Sequence, residues 1–224
     1  MAGRISYIEA VEANPAVVFV GAASGGVWKS TNAGTTWEQI FGRYGSSNIG
    51  ALAVFQPNPE IIWVGTGEGN VRNSVGWGDG IYKSTDGGRT FVNMGLRDTQ
   101  IIDKIVLHPS NPDIVYLPAQ GHLWGYNGER GVFRSTNGGR SWTRLAGGLP
   151  NNDSTGASAL VMDPTNPDVL YAGMWERIRR PDIFESGGPH GGIYKTTDGG
   201  NSWRRLTSGL PPVRTGKIGL AVYR

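Results

Sequence analysis

STDGGRTF, residues 84–91, returns three more times, as STNAGTTW at 30–37, STNGGRSW at 135–142 and TTDGGNSW at 196–203. The four copies begin 54, 51 and 61 residues apart, a period that belongs to stacked repeat arrays. Each copy follows a short strand-like run opened by glycine: GVWK from Gly26, GIYK from Gly80, GVFR from Gly131 and GIYK from Gly192.

A second signal precedes each box. Asn-Pro pairs at Asn14, Asn58, Asn111 and Asn166 lead into VVFVG, IIWVG, IVYLP and VLYAG. Nine residues before each Asn, Ile5, Ile49, Ile102 and Ala157 open another apolar stretch. One unit therefore reads strand, Asn-Pro turn, strand, loop, strand, box turn, strand. Four antiparallel strands in about 50 residues make a propeller blade. The expected fold is all-β: a β-propeller of four-stranded antiparallel blades in a single domain, 1–224, with blades at about 3–46, 47–98, 99–152 and 153–212. KIGLAVYR from Lys217, within 213–224, reads as the first strand of a further blade. A blade needs a neighbour on each face. Four blades and one strand therefore predict a partial ring, completed by further blades of a longer chain or by a homo-oligomer.

The box composition has a mechanical reading, and its residues are assigned a structural role. Ser30, Ser84, Ser135 and Thr196 open the turns. Two residues later, Asn32, Asp86, Asn137 and Asp198 can bond back to backbone amides. Gly34, Gly88, Gly139 and Gly200 supply positive φ. Trp37, Phe91, Trp142 and Trp203 bury a large ring.

These boxes match the Asp-box repeat, S-x-D-x-G-x-[ST]-W, and with the Asn-Pro strands the whole chain resembles bacterial sortilin-like Asp-box propellers, many of them labelled glycosyl hydrolases. Sialidases, endo-xyloglucanases and photosystem II assembly-factor propellers share the box more distantly. The resemblance implies the fold, a choice between ligand binding and glycoside hydrolysis, and a secreted, cell-surface or periplasmic setting. Two checks weigh against hydrolysis. The endo-xyloglucanase pattern TD-x-GG, whose Asp is catalytic, is here AASGG, with Ala23 in place of the Asp. The sialidase [FY]-R-I-P signature is matched only by GRIS around Arg4.

Composition narrows the classes further. Thirty-six glycines and 13 prolines suit a turn-dense β protein, and a net charge of +3 over 224 residues does not argue for nucleic acid. Without cysteine, disulfides and thiolate chemistry are excluded. No apolar run approaches a membrane span, and MAGRISYIEA does not resemble a signal peptide. His108, His122 and His190 lack ligand spacing, so no metal is expected. GTGEGN, from Gly65, precedes no helix that would present amides to a phosphate, so no cofactor is expected.

The repeat also locates the functional face. Each second strand ends seven residues after its Asn, and each third strand begins four residues before its box; the large variation falls between, in 22–25, 66–79, 119–130 and 174–191. Variable loops on a rigid frame are where binding sits. From these the candidate ligand-binding residues are Glu68, Arg72, Trp77, Gln120, His122, Trp124, Trp175 and Arg177. Rings beside carboxylates and guanidiniums suit a glycan, peptide or protein partner. The reading favoured is a non-catalytic binding module using loops 66–79, 119–130 and 174–191. The alternative is part of a glycoside hydrolase that pairs carboxylates drawn from Glu68, Asp79 and Glu176, as sugar-bond cleavage requires.

Overall fold

A computed structural model describes residues 4–70, 74–211 and 214–223. Four antiparallel sheets follow one another along the chain. The first is β1 (Ile5–Val11), β2 (Asn14–Ala22), β3 (Gly26–Ser30) and β4 (Glu38–Phe41). The second is β5 (Ile49–Val54), β6 (Ile62–Thr66), β7 (Ile81–Ser84) and β8 (Val92–Asn93). The third is β9 (Val106–Leu107), β10 (Val115–Ala119), β11 (Gly131–Ser135) and β12 (Thr143–Leu145). The fourth holds β13 (Thr155–Met162), β14 (Leu170–Arg180), β16 (Gly192–Thr196) and β17 (Arg204–Arg205), with β15 (Ile183–Ser186) paired to the far end of β14.

Two turns lock the same end of every blade. In each box the opening hydroxyl accepts the amide of the fourth residue on: Gly34 N to Ser30 Oγ 2.8 Å, Gly88 N to Ser84 2.9 Å, Gly139 N to Ser135 2.8 Å and Gly200 N to Thr196 3.0 Å. The same hydroxyl donates to the side-chain oxygen of Asn32, Asp86, Asn137 or Asp198, which accepts the amide of Thr36, Thr90, Ser141 or Ser202 at 2.9–3.0 Å. Box and Asn-Pro turn are tied together by Ala33 N to Ala16 O, Gly87 N to Glu60 O, Gly138 N to Asp113 O and Gly199 N to Asp168 O. The loops joining each second and third strand therefore emerge at the opposite end.

Apolar side chains pack between blades. One cluster joins Val27 and Phe41 of the first blade to Ile49, Leu52, Tyr82 and Phe91 of the second. A second joins Trp63 and Ile81 to Ile102, Leu117 and Phe133, and a third joins Tyr116, Val132 and Leu145 to Leu160, Tyr194 and Trp203. The box aromatic reaches back onto the preceding blade: Phe91 meets Phe41 edge-on at 5.1 Å, and Trp142 meets Trp63 at 6.2 Å while donating Nε1–H to Met94 O at 2.8 Å. Trp37 and Trp142 are half-buried, whereas Phe91 and Trp203 are buried.

Close approach at the inner strands needs glycine. A Cβ at Gly21 would lie 2.8 Å from Ile49 Cγ2, one at Gly65 2.7 Å from Ile102 Cγ2, and one at Gly173 3.1 Å from Ile218 Cγ2. At the equivalent place in the third and fourth units the sizes exchange, with Pro118 and Ala157. Ile218 thus takes the place of the next inner strand, and its backbone brackets Ser158 Oγ as Ile49 O meets Ser6 Oγ. The strand expected from Lys217 is not a hydrogen-bonded ladder, however. Among the described residues 214–223 makes one isolated bridge, Gly188 to Thr215, because no strand lies beside it to pair. A second difference is that 174–191, read as a loop, is largely the hairpin of β14 and β15 turning at Pro181–Asp182.

Ile49→Ala is expected to cost about 2–5 kcal/mol in urea unfolding, and Gly21→Ala about 1–3 kcal/mol by overpacking. Combined, they should cost less than their sum, because alanine in place of Ile49 makes room for the new methyl; strict additivity would show that the two sites do not touch.

Asp86 and Asp198 are held well below the usual carboxylate range, first by the hydroxyls of Thr90 and Ser202, then by their amides and the box hydroxyl. A depressed native pKa stabilises above the unfolded value, about 4, and is lost as pH falls below it. Replacing both by the Asn found in the other two boxes should therefore flatten the loss of stability between about pH 5 and pH 2. An unchanged acid limb in a melting series would contradict this.

Candidate functional site

Inner strands begin at the variable-loop end, and those of the first, second and fourth blades carry a bulge there. Register slips between Ile5 and Tyr7, between Ile49 and Ala51, and between Ala157 and Ala159 leave Ser6, Gly50 and Ser158 unpaired against the second strand. Asp103, one after Ile102, holds the same place in the third blade. Ser6 Oγ donates to Gly21 O or Ile49 O, and Ser158 Oγ to Gly173 O or Ile218 O. At Gly50 a Cβ would strike Gly67 O and Ile102 O. A carboxylate cannot donate, so Asp103 turns to other partners: it accepts Gln120 Nε2–H and lies 3.8 Å from Lys217 Nζ.

Four loops converge around this acid. Lys217 Nζ donates to Gly69 O at 2.8 Å, and Gln120 Nε2 also reaches Gly69 O at 3.3 Å. Next to Gly69, buried Glu68 forms an ion pair with Arg4. Arg177 and Arg130 are both buried, each only 1 % exposed. Arg130 donates to Asn127 Oδ1 and to the carbonyls of His122, Gly125, Ser154 and Arg177. Arg177 Nη2 donates to His122 O at 2.8 Å. Burial pushes Arg177 down to about 9, with Arg130 and Arg179 acting the same way and Asp103 opposing. Burial likewise lowers Arg130 to about 10. Asp103 is raised to about 6, chiefly by burial, against the pull of Lys217 and the Gln120 amide.

Residues singled out from the loops fall into distinct settings. Glu68, Gln120 and Arg177 gather around Asp103, and His122 supports the arginines through its carbonyl while its Nε2 meets Asp98 O at 2.9 Å. Trp175 is buried, donates Nε1–H to Ser186 Oγ at 3.1 Å and lies under the Arg177 guanidinium. Asp79 accepts Tyr82 O–H at 2.5 Å and sits 3.8 Å from Arg97. Glu176 accepts the His190 amide and contacts its Nδ1, each at 3.0 Å. Arg72 lies outside the described residues. Trp77 and Trp124 are 56 % and 38 % exposed, as are Tyr126 at 56 % and Phe184 at 46 %. The Arg179 guanidinium carbon is 5.2 Å from the Trp124 ring centre and 5.0 Å from that of Phe184. Gly125 N–H donates to Arg179 O at 2.8 Å, so the third-blade loop is stitched to the fourth-blade hairpin.

Asp103 and Lys217 lie outside the variable loops, whereas Arg130, Arg179 and Phe184 belong to them. Asp103 had one legible sign: it stands in register with Ser6, Gly50 and Ser158, the only acid of the four. Elsewhere, two hollows of about 720 and 710 Å³ flank the outer face of the fourth blade and the segments 204–211 and 214–223. There Ile193 is half-buried, whereas Val27, Ile81 and Val132 at the same repeat position are fully covered. Among the described residues no helix is long and apolar enough to cross a membrane.

Fold and turns define an Asp-box β-propeller. The Sortilin-Vps10 family model (Sortilin, neurotensin receptor 3) matches residues 79–214, and the chain belongs to that family. It is 27% identical over 139 residues to the dispase autolysis-inducing protein of Streptomyces mobaraensis, covering 59% of this chain and 35% of that protein. It is 26% identical over 216 residues to a xyloglucanase of Hypocrea jecorina, covering 85% of this chain and 24% of the enzyme. An ancestral GH74 enzyme of known structure superposes with a TM-score of 0.70 at 25% identity, over 93% of this chain and 25% of its own. The chain is thus a propeller related to glycoside hydrolase domains, and it spans about a quarter to a third of these relatives.

Asp103→Asn should leave stability nearly unchanged below pH 4, where the acid is protonated folded and unfolded alike. A raised native pKa means stability is lost as pH rises through about 6. The asparagine variant should therefore be the more stable by on the order of 2 kcal/mol at pH 8. Equal melting curves at pH 4 and pH 8 would contradict that environment.

Proposed function

We propose that the chain is a non-catalytic glycan-binding propeller module, working through the variable-loop face formed by 66–79, 119–130 and the hairpin in 174–191. The observation that carries this reading is the row of exposed rings on that face, Trp77, Trp124, Tyr126 and Phe184, on a frame whose other large apolar side chains are mostly covered. Trp124 and Phe184 are held by the Arg179 guanidinium, a cation–π arrangement worth about 0.5–1 kcal/mol at an exposed site, which keeps the rings in place for a sugar to stack on. Kinship with a xyloglucanase supports xyloglucan or a similar polysaccharide as the partner.

The hydrolytic alternative has less support here. Glu68, Asp79 and Glu176 are each engaged by a different structural partner, Arg4, Tyr82 and His190, and Ala23 stands in place of the acid of the xyloglucanase pattern. The same kinship supports an extracellular or cell-surface setting. On this reading the half-covered face of the fourth blade receives a further blade or a second copy.

Affinity electrophoresis in gels cast with soluble xyloglucan tests the module. Wild-type protein should be retarded, and Trp124→Ala and Trp77→Ala should each restore mobility substantially, since aromatic anchors carry most of such binding energy. Release of reducing ends from xyloglucan, or retardation unchanged by both substitutions, would overturn the reading.

A further inference from the structure

We infer that Lys195 and Tyr171, on the outer face of the fourth blade, form a socket for the carbonyl of an Asp-box turn, and that the occupant of this face is strands two to four of a further blade built on 217–223. The inference does not rest on the glycan-binding reading.

The first observation is a contact made at each of the three blade junctions. The residue before each box is basic, and it reaches the box of the next blade. Lys29 Nζ donates to Gly87 O at 2.8 Å, Lys83 Nζ to Gly138 O at 3.2 Å and Arg134 Nη1 to Gly199 O at 2.7 Å. Tyr116 Oη donates to Gly199 O as well, at 2.8 Å. The three acceptors hold one place in the box, its fourth residue, and their φ angles are 72°, 69° and 66°. A turn carbonyl of this kind has no strand ladder to meet, so a charged donor from the neighbouring blade is a strong way to satisfy it.

The second observation is the same pair of groups on the fourth blade. Lys195 precedes its box as Lys29, Lys83 and Arg134 precede theirs, and Tyr171 follows Asn166 at the interval at which Tyr116 follows Asn111. Lys195 Nζ lies 5.1 Å from the centre of the Tyr171 ring, as Lys29 lies 5.5 Å from that of Phe19 and Lys83 4.9 Å from that of Trp63. Base and ring thus hold the posture that takes a box carbonyl elsewhere. Among the described residues no carbonyl meets either group, and both are half-buried. Beside them the hollow of about 720 Å³ is lined by Tyr171, Ile193, Leu206, Leu220 and Val222. Apolar surface and polar socket share one face, as they do on the first three blades.

The occupant follows from what already lies there. Ile218 packs on Gly173 as Ile49 packs on Gly21, and it shares the Ser158 hydroxyl, so 217–223 fills the inner place of the next blade. A second copy would bring its own β1 into that place and collide. A unit that begins at its second strand does not collide. Its strand pairs with the edge of 217–223 and its box carbonyl meets Lys195 and Tyr171. Its box aromatic lands on Leu206, whose amide bonds Ile193 O where Phe41 pairs with Val27. A blade's second strand follows its first across an Asn-Pro turn, so the source is polypeptide continuous with 217–223.

The test lengthens the chain after Arg224 by a copy of its own Gln56–Leu96, which carries the Asn-Pro turn, three strands and box of the second blade. Gln56 lies seven residues after Ile49, and the first appended residue lies seven after Ile218, so the repeat register is kept. The melting temperature should rise by about 4 °C or more. Lys195→Met and Tyr171→Phe should each remove about 2 °C or more of that rise, while leaving the chain without the appended unit within about 1 °C of wild type. No rise, or equal costs of both substitutions with and without the unit, would overturn the socket. Because an appended unit can fail to fold, Gln56–Leu96 is also added as a peptide to the 224-residue chain, where it should displace a hydrophobic dye, less effectively in Lys195→Met. A dye signal that the peptide leaves unchanged counts against the occupant. In light scattering the 224-residue chain should be monomeric; a stable dimer weakened by Lys195→Met would put a second copy on this face and overturn the occupant.

Discussion

One hydroxyl per blade governs the geometry of the whole arc. Ser30, Ser84, Ser135 and Thr196 each accept two amides and donate to the acid or amide two residues on, all within a turn of eight residues. That closed circuit satisfies a buried amide that water cannot reach. It also sets the direction in which the chain leaves the turn, and so where the box aromatic lands. The ring lands on the blade before it, as Phe91 does on Phe41 and Trp142 on Trp63. A local turn thereby becomes the means by which one blade recognises the next.

The frame was legible because it repeats. Each structural position occurs four times, so chance matches cancel and the constraint shows: serine where an amide must be met, glycine where Ile49 or Ile102 presses on a backbone, an Asn-Pro pair where the chain reverses. The hairpin inside 174–191 was less legible since it occurs in one blade alone, although alternation in ERIRR and the Pro181–Asp182 turn mark it. The buried polar cluster around Asp103 was harder still. Its members come from positions 103, 120, 155, 177 and 217, and only the curvature of the arc brings them together. Spacing along the chain carries no trace of that curvature.

Function in such an array is written in the exceptions. Where Ser6 and Ser158 close a bulge with a hydroxyl, Asp103 meets the Gln120 amide and the Lys217 ammonium instead. Where the first blade joins its second and third strands through 22–25, the fourth extends a hairpin whose Arg179 meets both its own Phe184 and Trp124 of the third. These departures share one end of the blades, opposite the turns. The rigid end and the variable end are thus divided by strand direction alone, and either can change with little effect on the other.

Arg4 and Lys217, more than two hundred residues apart, take hold of adjacent residues, Glu68 and Gly69. An arc of blades without such ties would fan open and shut about its axis, each junction adding a small angle. Here both flanks are moored to the base of one loop, so a fanning motion must load that loop from two sides. The base of that loop, at Glu68 and Gly69, is therefore held from two sides, from the first blade by a guanidinium and from the segment after the fourth blade by an ammonium, without passing through the apolar layers between.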